Sequence, residues 1–188
     1  VLAAVGIAAV QVDLHGVRVL HVVRGLLLKK SRRQKAESRK QQKAESRLLW
    51  LYTDGKDWRG EVEEVETELY PGRMDAVFGE SLLRFSEGCY HIHLNTREIK
   101  GNFRLEPVSS LLYIPGIRLQ TQVRFHWLCI PRLLVSGSFQ VGGEKYQMEE
   151  APAYHDHNWG RFSWGGDFSW EWGFVLPENQ DDCWNAIF

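Results

Sequence analysis

From Trp58 onward, hydrophobic and polar positions alternate in short segments punctuated by Gly, Pro and Asn, a period of two that predicts strands. Leu82 to Phe85 leads through Ser86-Glu87-Gly88 and out along Cys89 to Leu94, a strand, a tight turn and a strand. Val135 to Val141 meets Gly142-Gly143 and returns through Lys145 to Met148, because a glycine pair tolerates the positive φ of a hairpin turn. A third hairpin is expected from Tyr154 through Trp164, over Gly165-Gly166, and back along Asp167 to Leu176. Between them, Ile117 to Leu128 reads as one long strand that stops at Pro131. Hairpins in succession predict an all-β fold, an antiparallel barrel or sandwich in which closure removes exposed edges.

The first 28 residues read differently. Residues 1–12 are apolar, but Asp13, His15, Arg18, His21 and Arg24 interrupt the run before it reaches the length of a membrane span. The expectation is a non-β appendage over 1–28, either an anchor or an amphipathic helix. Basic residues follow this stretch instead of preceding it, the order of an anchor with a cytoplasmic flank, so a cytoplasmic or membrane-associated protein is favoured over a secreted one. Gln34-Lys35-Ala36-Glu37-Ser38-Arg39 recurs as Gln42-Lys43-Ala44-Glu45-Ser46-Arg47, and the low-complexity stretch 29–47 is expected to be a solvated linker.

Charge sharpens this division. Residues 29–47 hold nine basic and two acidic residues, a balance of +7, whereas residues 48–188 carry −9. The whole chain, at −1, offers no global attraction to nucleic acid, and no nucleic-acid partner is expected. A basic run beside an apolar segment suits an anionic membrane surface, so association through 1–47 is the functional expectation there. With 188 residues, 44% hydrophobic residues and eight Trp, the chain has enough apolar mass for one packed β domain over 48–188. Because the sequence ends at Asn185-Ala186-Ile187-Phe188, within an apolar strand pattern, that domain is expected to be truncated. Cys89, Cys129 and Cys183 are odd in number and widely spaced, which suggests neither a disulfide framework nor a cysteine zinc site.

The densest chemical signal is Tyr154-His155-Asp156-His157-Asn158-Trp159-Gly160, followed by Phe162, Trp164, Phe168, Trp170, Trp172 and Phe174; eight of the twenty-one residues from 154 to 174 are aromatic. Along a strand, Phe168, Trp170, Trp172 and Phe174 share one face, an aromatic wall that serves either as core or as the lining of a ligand site. An Asp among aromatic rings loses the hydration of its ionised form, so its pKa rises and it can act as a general acid. Its proton would activate an alkene, and the π faces would stabilise the carbocation. Metal binding is the rival, since His155 and His157, like His91 and His93, lie two apart on strands and four imidazoles suit a cupin-type centre. No carboxylate completes a facial triad, and no metal is assigned. The chain has no phosphate-binding glycine loop and no Gly-x-Ser-x-Gly elbow, so nucleotide and hydrolase chemistry have no support.

Tyr154 to Gly160, then Trp170-Glu171-Trp172-Gly173 and Leu176-Pro177, resemble the lipocalin-like domain of the carotenoid 1,2-hydratase (hydroxyneurosporene synthase) family and its bacterial relatives. Arg73 to Gly79 and the Glu87-Gly88 hairpin resemble earlier strands of the same domain, so the likeness spans roughly residues 58–188. The resemblance implies a calycin-type barrel or sandwich, normally the first of two such domains, holding a hydrophobic small molecule. It implies hydration of an isoprenoid double bond without a redox cofactor, and a second lipocalin-like domain that this chain lacks. Carried over by motif, Asp156 is the candidate proton donor, His155 and His157 its orienting or relaying partners, and Glu171 a second acid. Tyr154, Asn158, Trp159, Trp164, Trp170 and Trp172 are the candidate ligand wall. A hydratase, or a related lyase or cyclase, is therefore the leading expectation, and a non-enzymatic carrier of a lipid or other apolar ligand is the alternative.

Overall fold

The computed structural model describes residues 2–13, 17–28, 42–53, 57–70, 75–118, 124–161, 172–175 and 184–187. Its regular elements are all strands: β1 (Leu2–Asp13), β2 (Val17–Leu28), β3 (Gln42–Thr53), β4 (Trp58–Leu69), β5 (Asp75–Phe78), β6 (Ser81–Ser86), β7 (Cys89–Asn95), β8 (Ile99–Pro107), β9 (Leu112–Arg118), β10 (Arg124–Val141), β11 (Glu144–Arg161), β12 (Trp172–Val175) and β13 (Trp184–Ile187). Eleven of them form one antiparallel sheet in the order β11-β1-β2-β3-β4-β5-β6-β7-β8-β10-β9, and β12 pairs with β13 separately. Because β11 pairs with β1 over Ala153 to Gly160 and with β10 along most of its length, the circuit of pairings returns to its start. That is how the sheet manages its two long edges.

The non-β appendage expected at the N-terminus is corrected by this topology. Leu2–Asp13 and Val17–Leu28 are paired strands of the main sheet, in register from Leu2↔Leu28 to Asp13↔Val17. The polar residues at 18, 21 and 24 recur every three positions and imitate a helical face, but the valines at 17, 19, 22 and 23 favour the pleated conformation. Among the described residues no helix is long and apolar enough to cross a membrane. Of the expected linker, residues 29–41 lie outside the described residues, and Gln42 to Arg47 open β3.

Two of the hairpins read from glycine are present. β6 turns into β7 through Glu87 and Gly88, both at positive φ (54° and 78°), and β10 turns into β11 through Gly142 and Gly143 (59° and 85°). The turn of the third hairpin, at 165–166, lies outside the described residues. The long strand expected to stop at Pro131 is corrected. Its span is divided between β9 and β10, which pair antiparallel from Arg118↔Arg124 to Leu112↔Cys129, and β10 continues through Pro131 to Val141.

Pro131 is tolerated because the ladder is broken there. The register with β11 steps from Ile130↔His155 to Leu133↔Ala153, a bulge that leaves Pro131 and Arg132 opposite one residue. At the same point β10 exchanges its other neighbour, β9, for β8, beginning at Leu133↔Pro107. The freed backbone of Arg132 is met by the β8–β9 connection: its N–H donates to Ser109 Oγ at 2.9 Å, and its carbonyl accepts from Val108 N–H at 3.1 Å. A second bulge between Val135 and Gly137 adds its extra residue on β11, where Glu150 takes φ 50°. The two shifts cancel.

The core lies on one face of the sheet. β8 alternates strictly, with Ile99, Gly101, Phe103 and Leu105 buried and Lys100, Asn102, Arg104 and Glu106 exposed. Ile99, Leu105, Leu133, Val135 and Val141 are within 2% of complete burial and join Tyr90, Phe103, Phe139 and Met148 in one cluster. At β11 the opposite face is buried as well, and this is where Tyr154 and Asp156 sit.

Candidate active site

The register of β10 and β11 places Cys129 directly opposite Asp156 and Trp127 opposite Asn158. Side chains two apart on a strand share a face, so Trp127, Cys129, Tyr154 and Asp156 project to one side of the hairpin. All four are buried, Tyr154 and Cys129 at 0% exposure and Asp156 at 1%. A carboxyl group in that setting needs partners, and it has two. The Tyr154 hydroxyl donates to Asp156 Oδ2 at 3.1 Å, and the Trp127 indole N–H donates to the same oxygen at 3.4 Å. Oδ1 is buried and has no hydrogen-bond partner.

Two effects oppose each other at this carboxyl. Removal from water raises its pKa to about 6, against the lowering effect of the Tyr154 and Trp127 hydrogen bonds, which favour the ionised form. Desolvation wins. Both donors occupy Oδ2, so the proton of the neutral acid belongs on Oδ1, the oxygen left unpaired. Burial thus holds the Asp156 pKa above the ordinary carboxylate range, and the two donors on Oδ2 leave Oδ1 as the oxygen for the proton of the neutral acid.

The neighbouring histidines face the other way. His155 lies opposite Ile130 on the side of the main core, 4% exposed, with its ring 4.8 Å from that of Tyr90. Burial, with a smaller contribution from the nearby His157, lowers its pKa to about 3, so the imidazole is neutral at ordinary pH. Neither histidine is hydrogen-bonded to Asp156, and the expected orienting role passes to Tyr154 and Trp127. The four-imidazole centre does not assemble: His93 is exposed, with Nδ1 2.8 Å from Asn102 Oδ1, while His155 is buried beside Tyr90. Among the described residues no three His, Cys, Asp or Glu side chains gather as a metal site.

Of the expected ligand wall, Tyr154 is beside Asp156 as a hydrogen-bond donor. The backbones of Asn158 and Trp159 continue β11 opposite Val5 and Ala4, and Trp172 begins β12, but their side chains lie outside the described residues. Trp164, Trp170 and Glu171 also lie outside them. Trp127 was missed in the sequence, although a signal existed. Counting outward equally from Gly142-Gly143 pairs Cys129 with Asp156, because the two bulges offset each other. A groove of about 370 Å³ lies between β8, β10 and β11, lined by residues including Lys100, Asn102, Ser138, Gln140, Lys145 and Gln147. None of the candidate site residues contributes to it.

No protein-family model matches the sequence, and no curated protein does. Solved structures do. A Nitrosomonas europaea protein provisionally assigned as AttH superposes with a TM-score of 0.63 at 13% identity, covering 92% of this chain and 56% of its own. Kievitone hydratase from Nectria haematococca superposes with a TM-score of 0.58 at 10% identity, covering 91% of this chain and 51% of its own. The fold is all-β and lipocalin-like. The chain spans about half the length of these two structures.

Proposed function

We propose that this chain carries the proton-donating site of a hydratase, or a related acid-base lyase or cyclase, acting on an apolar isoprenoid or polyene. The observation that carries this reading is Asp156: a buried carboxyl with a pKa raised to about 6, held by two donors on Oδ2, with its other oxygen unpaired. The fold shared with kievitone hydratase is consistent with it. At pH 7 roughly a tenth of such groups hold the proton, a fraction compatible with general acid catalysis.

In the proposed reaction, the Oδ1 proton passes to the less substituted carbon of a terminal C=C bond. The π electrons form the new C–H bond and leave a tertiary carbocation, which the adjacent Trp127 ring stabilises through its π face. Water adds to the cation, and the oxonium proton returns to the Asp156 carboxylate, so alkene plus water gives a tertiary alcohol. Tyr154 and Trp127 do not exchange protons in this scheme; they hold the carboxyl group.

The test is turnover of an acyclic terpenoid with a terminal isopropylidene group, such as geraniol, by the parent and by Asp156→Asn. Loss of hydrated product by about two to four orders of magnitude, with binding retained, is the expected result. Equal product formation by parent and variant contradicts it. Binding by both without product from either identifies a carrier.

A further inference from the structure

The exposed face of the sheet carries a groove that the proposed hydration does not use. In the register of β8, β10 and β11, Lys100 pairs with Gln140 and Gln140 with Lys145, while Asn102 pairs with Ser138 and Ser138 with Gln147. These six side chains point away from the core, because they alternate with Gly101, Phe139 and Tyr146, which are turned toward it. Two parallel rows result, each spanning about 10 Å, or two strand spacings. The intervening backbone is the floor, and the open volume is about 370 Å³. The charge here is opposite to that of the domain around it: residues 48–188 carry −9, yet Lys100 and Lys145 stand at the two ends of one row, and among the described residues no carboxylate lines the groove. Acids nearby are engaged elsewhere. Glu98 pairs with Arg97 at 3.4 Å, Glu106 with Arg104 at 2.7 Å, and Glu144 accepts from the Tyr146 hydroxyl. In the second row, His93 Nδ1 lies 2.8 Å from Asn102 Oδ1; an amide oxygen only accepts, so the imidazole donates and the Asn102 NH₂ is left to donate to another group.

We infer that this groove is a second binding site, for a short acidic saccharide, with carboxylates on Lys100 and Lys145 and sugar hydroxyls on Asn102, Ser138, Gln140 and Gln147. Amides and a serine hydroxyl both donate and accept, which is what a sugar hydroxyl requires of its partners. The two ammonium groups select for negative charge, and their separation across three strands favours one charge at each end over a single anion. An apolar ligand would find no apolar wall. A nucleic acid would meet two cations on an acidic domain, too few for the phosphate contacts that sustain such binding. Ser138, the shortest side chain of the six, leaves the middle of its row low, and this is where a sugar ring fits.

The probe is digalacturonate, a disaccharide with one carboxylate on each sugar, titrated into the full chain at low ionic strength. Its controls are cellobiose, which lacks the charges, and adipate, a dianion that lacks the hydroxyls. Digalacturonate should bind saturably and about tenfold more tightly than either, the combined effect of two exposed ion pairs or of a set of exposed hydrogen bonds. Lys100→Gln and Lys145→Gln should each weaken it about threefold, and added salt should weaken the parent in the same direction. Ser138→Leu fills the middle of the groove from an exposed position and should abolish binding, while Asp156→Asn should leave it unchanged. A second reading is the side-chain amide resonances of Gln140 and Gln147, which should shift as the probe saturates. Binding of cellobiose or adipate as tight as that of digalacturonate overturns the proposal. So does the absence of saturable binding by the parent, undiminished binding by either lysine variant or by Ser138→Leu, or unmoved amide resonances. None of these outcomes bears on hydration at Asp156, which is read from product alone.

Discussion

Trp127 and Asp156, twenty-nine residues apart in sequence, are joined by an indole N–H that donates to a carboxylate oxygen at 3.4 Å. The link exists because β10 and β11 form one long hairpin whose register survives two opposite bulges. It fixes which oxygen of Asp156 accepts and, by exclusion, which one carries the proton. Tyr154 adds the second donor to the same oxygen at 3.1 Å.

Removing the tyrosine hydroxyl separates the two effects on Asp156. In Tyr154→Phe the ionised carboxyl loses a donor while its burial is kept, so its pKa should rise further, in the direction desolvation already drives it. The alkaline limb of any turnover profile, where the general acid loses its proton, should move to higher pH with it. The variant should also lose about 1 kcal/mol of stability, measured by denaturant titration. An unchanged Asp156 titration would show that the Tyr154 contact does not act on the charge.

The pH dependence of folding should show two opposing slopes. Asp156, raised to about 6, binds its proton more tightly in the folded state; its contribution is present below the ordinary carboxyl value near 3.8 and is lost as pH rises through 6. His155, lowered to about 3, acts in reverse; its contribution is present above 6.5 and is lost as pH falls toward 3. Between about pH 4 and 6 the two terms should nearly cancel. His155→Phe should then expose stability that falls with rising pH across that window, and Asp156→Asn should expose stability that falls with falling pH. Each difference is on the order of 3 kcal/mol across the window. The check is unfolding free energy at intervals of pH for parent and both variants; identical curves would contradict it.

The hairpin itself has a position where no side chain fits. Gly137, at the second bulge, has φ 150°, and a Cβ there would lie 2.1 Å from the Asn102 carbonyl oxygen, which is backbone and cannot turn away. Gly137→Ala should cost more than about 3 kcal/mol, or prevent folding. At Pro131, where the bulge already leaves the ladder open, Pro131→Ala should cost under about 1 kcal/mol. Thermal unfolding of the two variants compares them directly.

Much of this was legible where a local rule decides the structure. Gly88 and Gly142-Gly143 marked their hairpins because few other residues accept those backbone angles, and the two-residue alternation through β8 marked the buried face. Asp156 stands out in the sequence as a carboxyl among aromatic residues, where lost hydration of the ionised form raises its pKa. The N-terminal strands were not legible: an alanine-rich run with polar residues every third position suits a helix locally, and only pairing with β11 and β3 makes it a sheet. Pro131 misled for a similar reason, since whether a proline ends a strand depends on whether its neighbour needs a donor at that point. The family resemblance implies His155 and His157 as partners of Asp156, although alternation along the strand already puts His155 and Asp156 on opposite faces. Trp127 depended on register, which becomes readable only when the turn is known and both bulges are counted.

The most direct measurement is the titration of the Asp156 side-chain carboxyl itself, followed by its ¹³C resonance in labelled protein and assigned through Asp156→Asn. A midpoint near 6, with the Trp127 indole N–H resonance moving over the same range, is the predicted result. A midpoint near 4, the ordinary aspartate value, with an indole resonance indifferent to pH, would contradict a buried proton donor at this position.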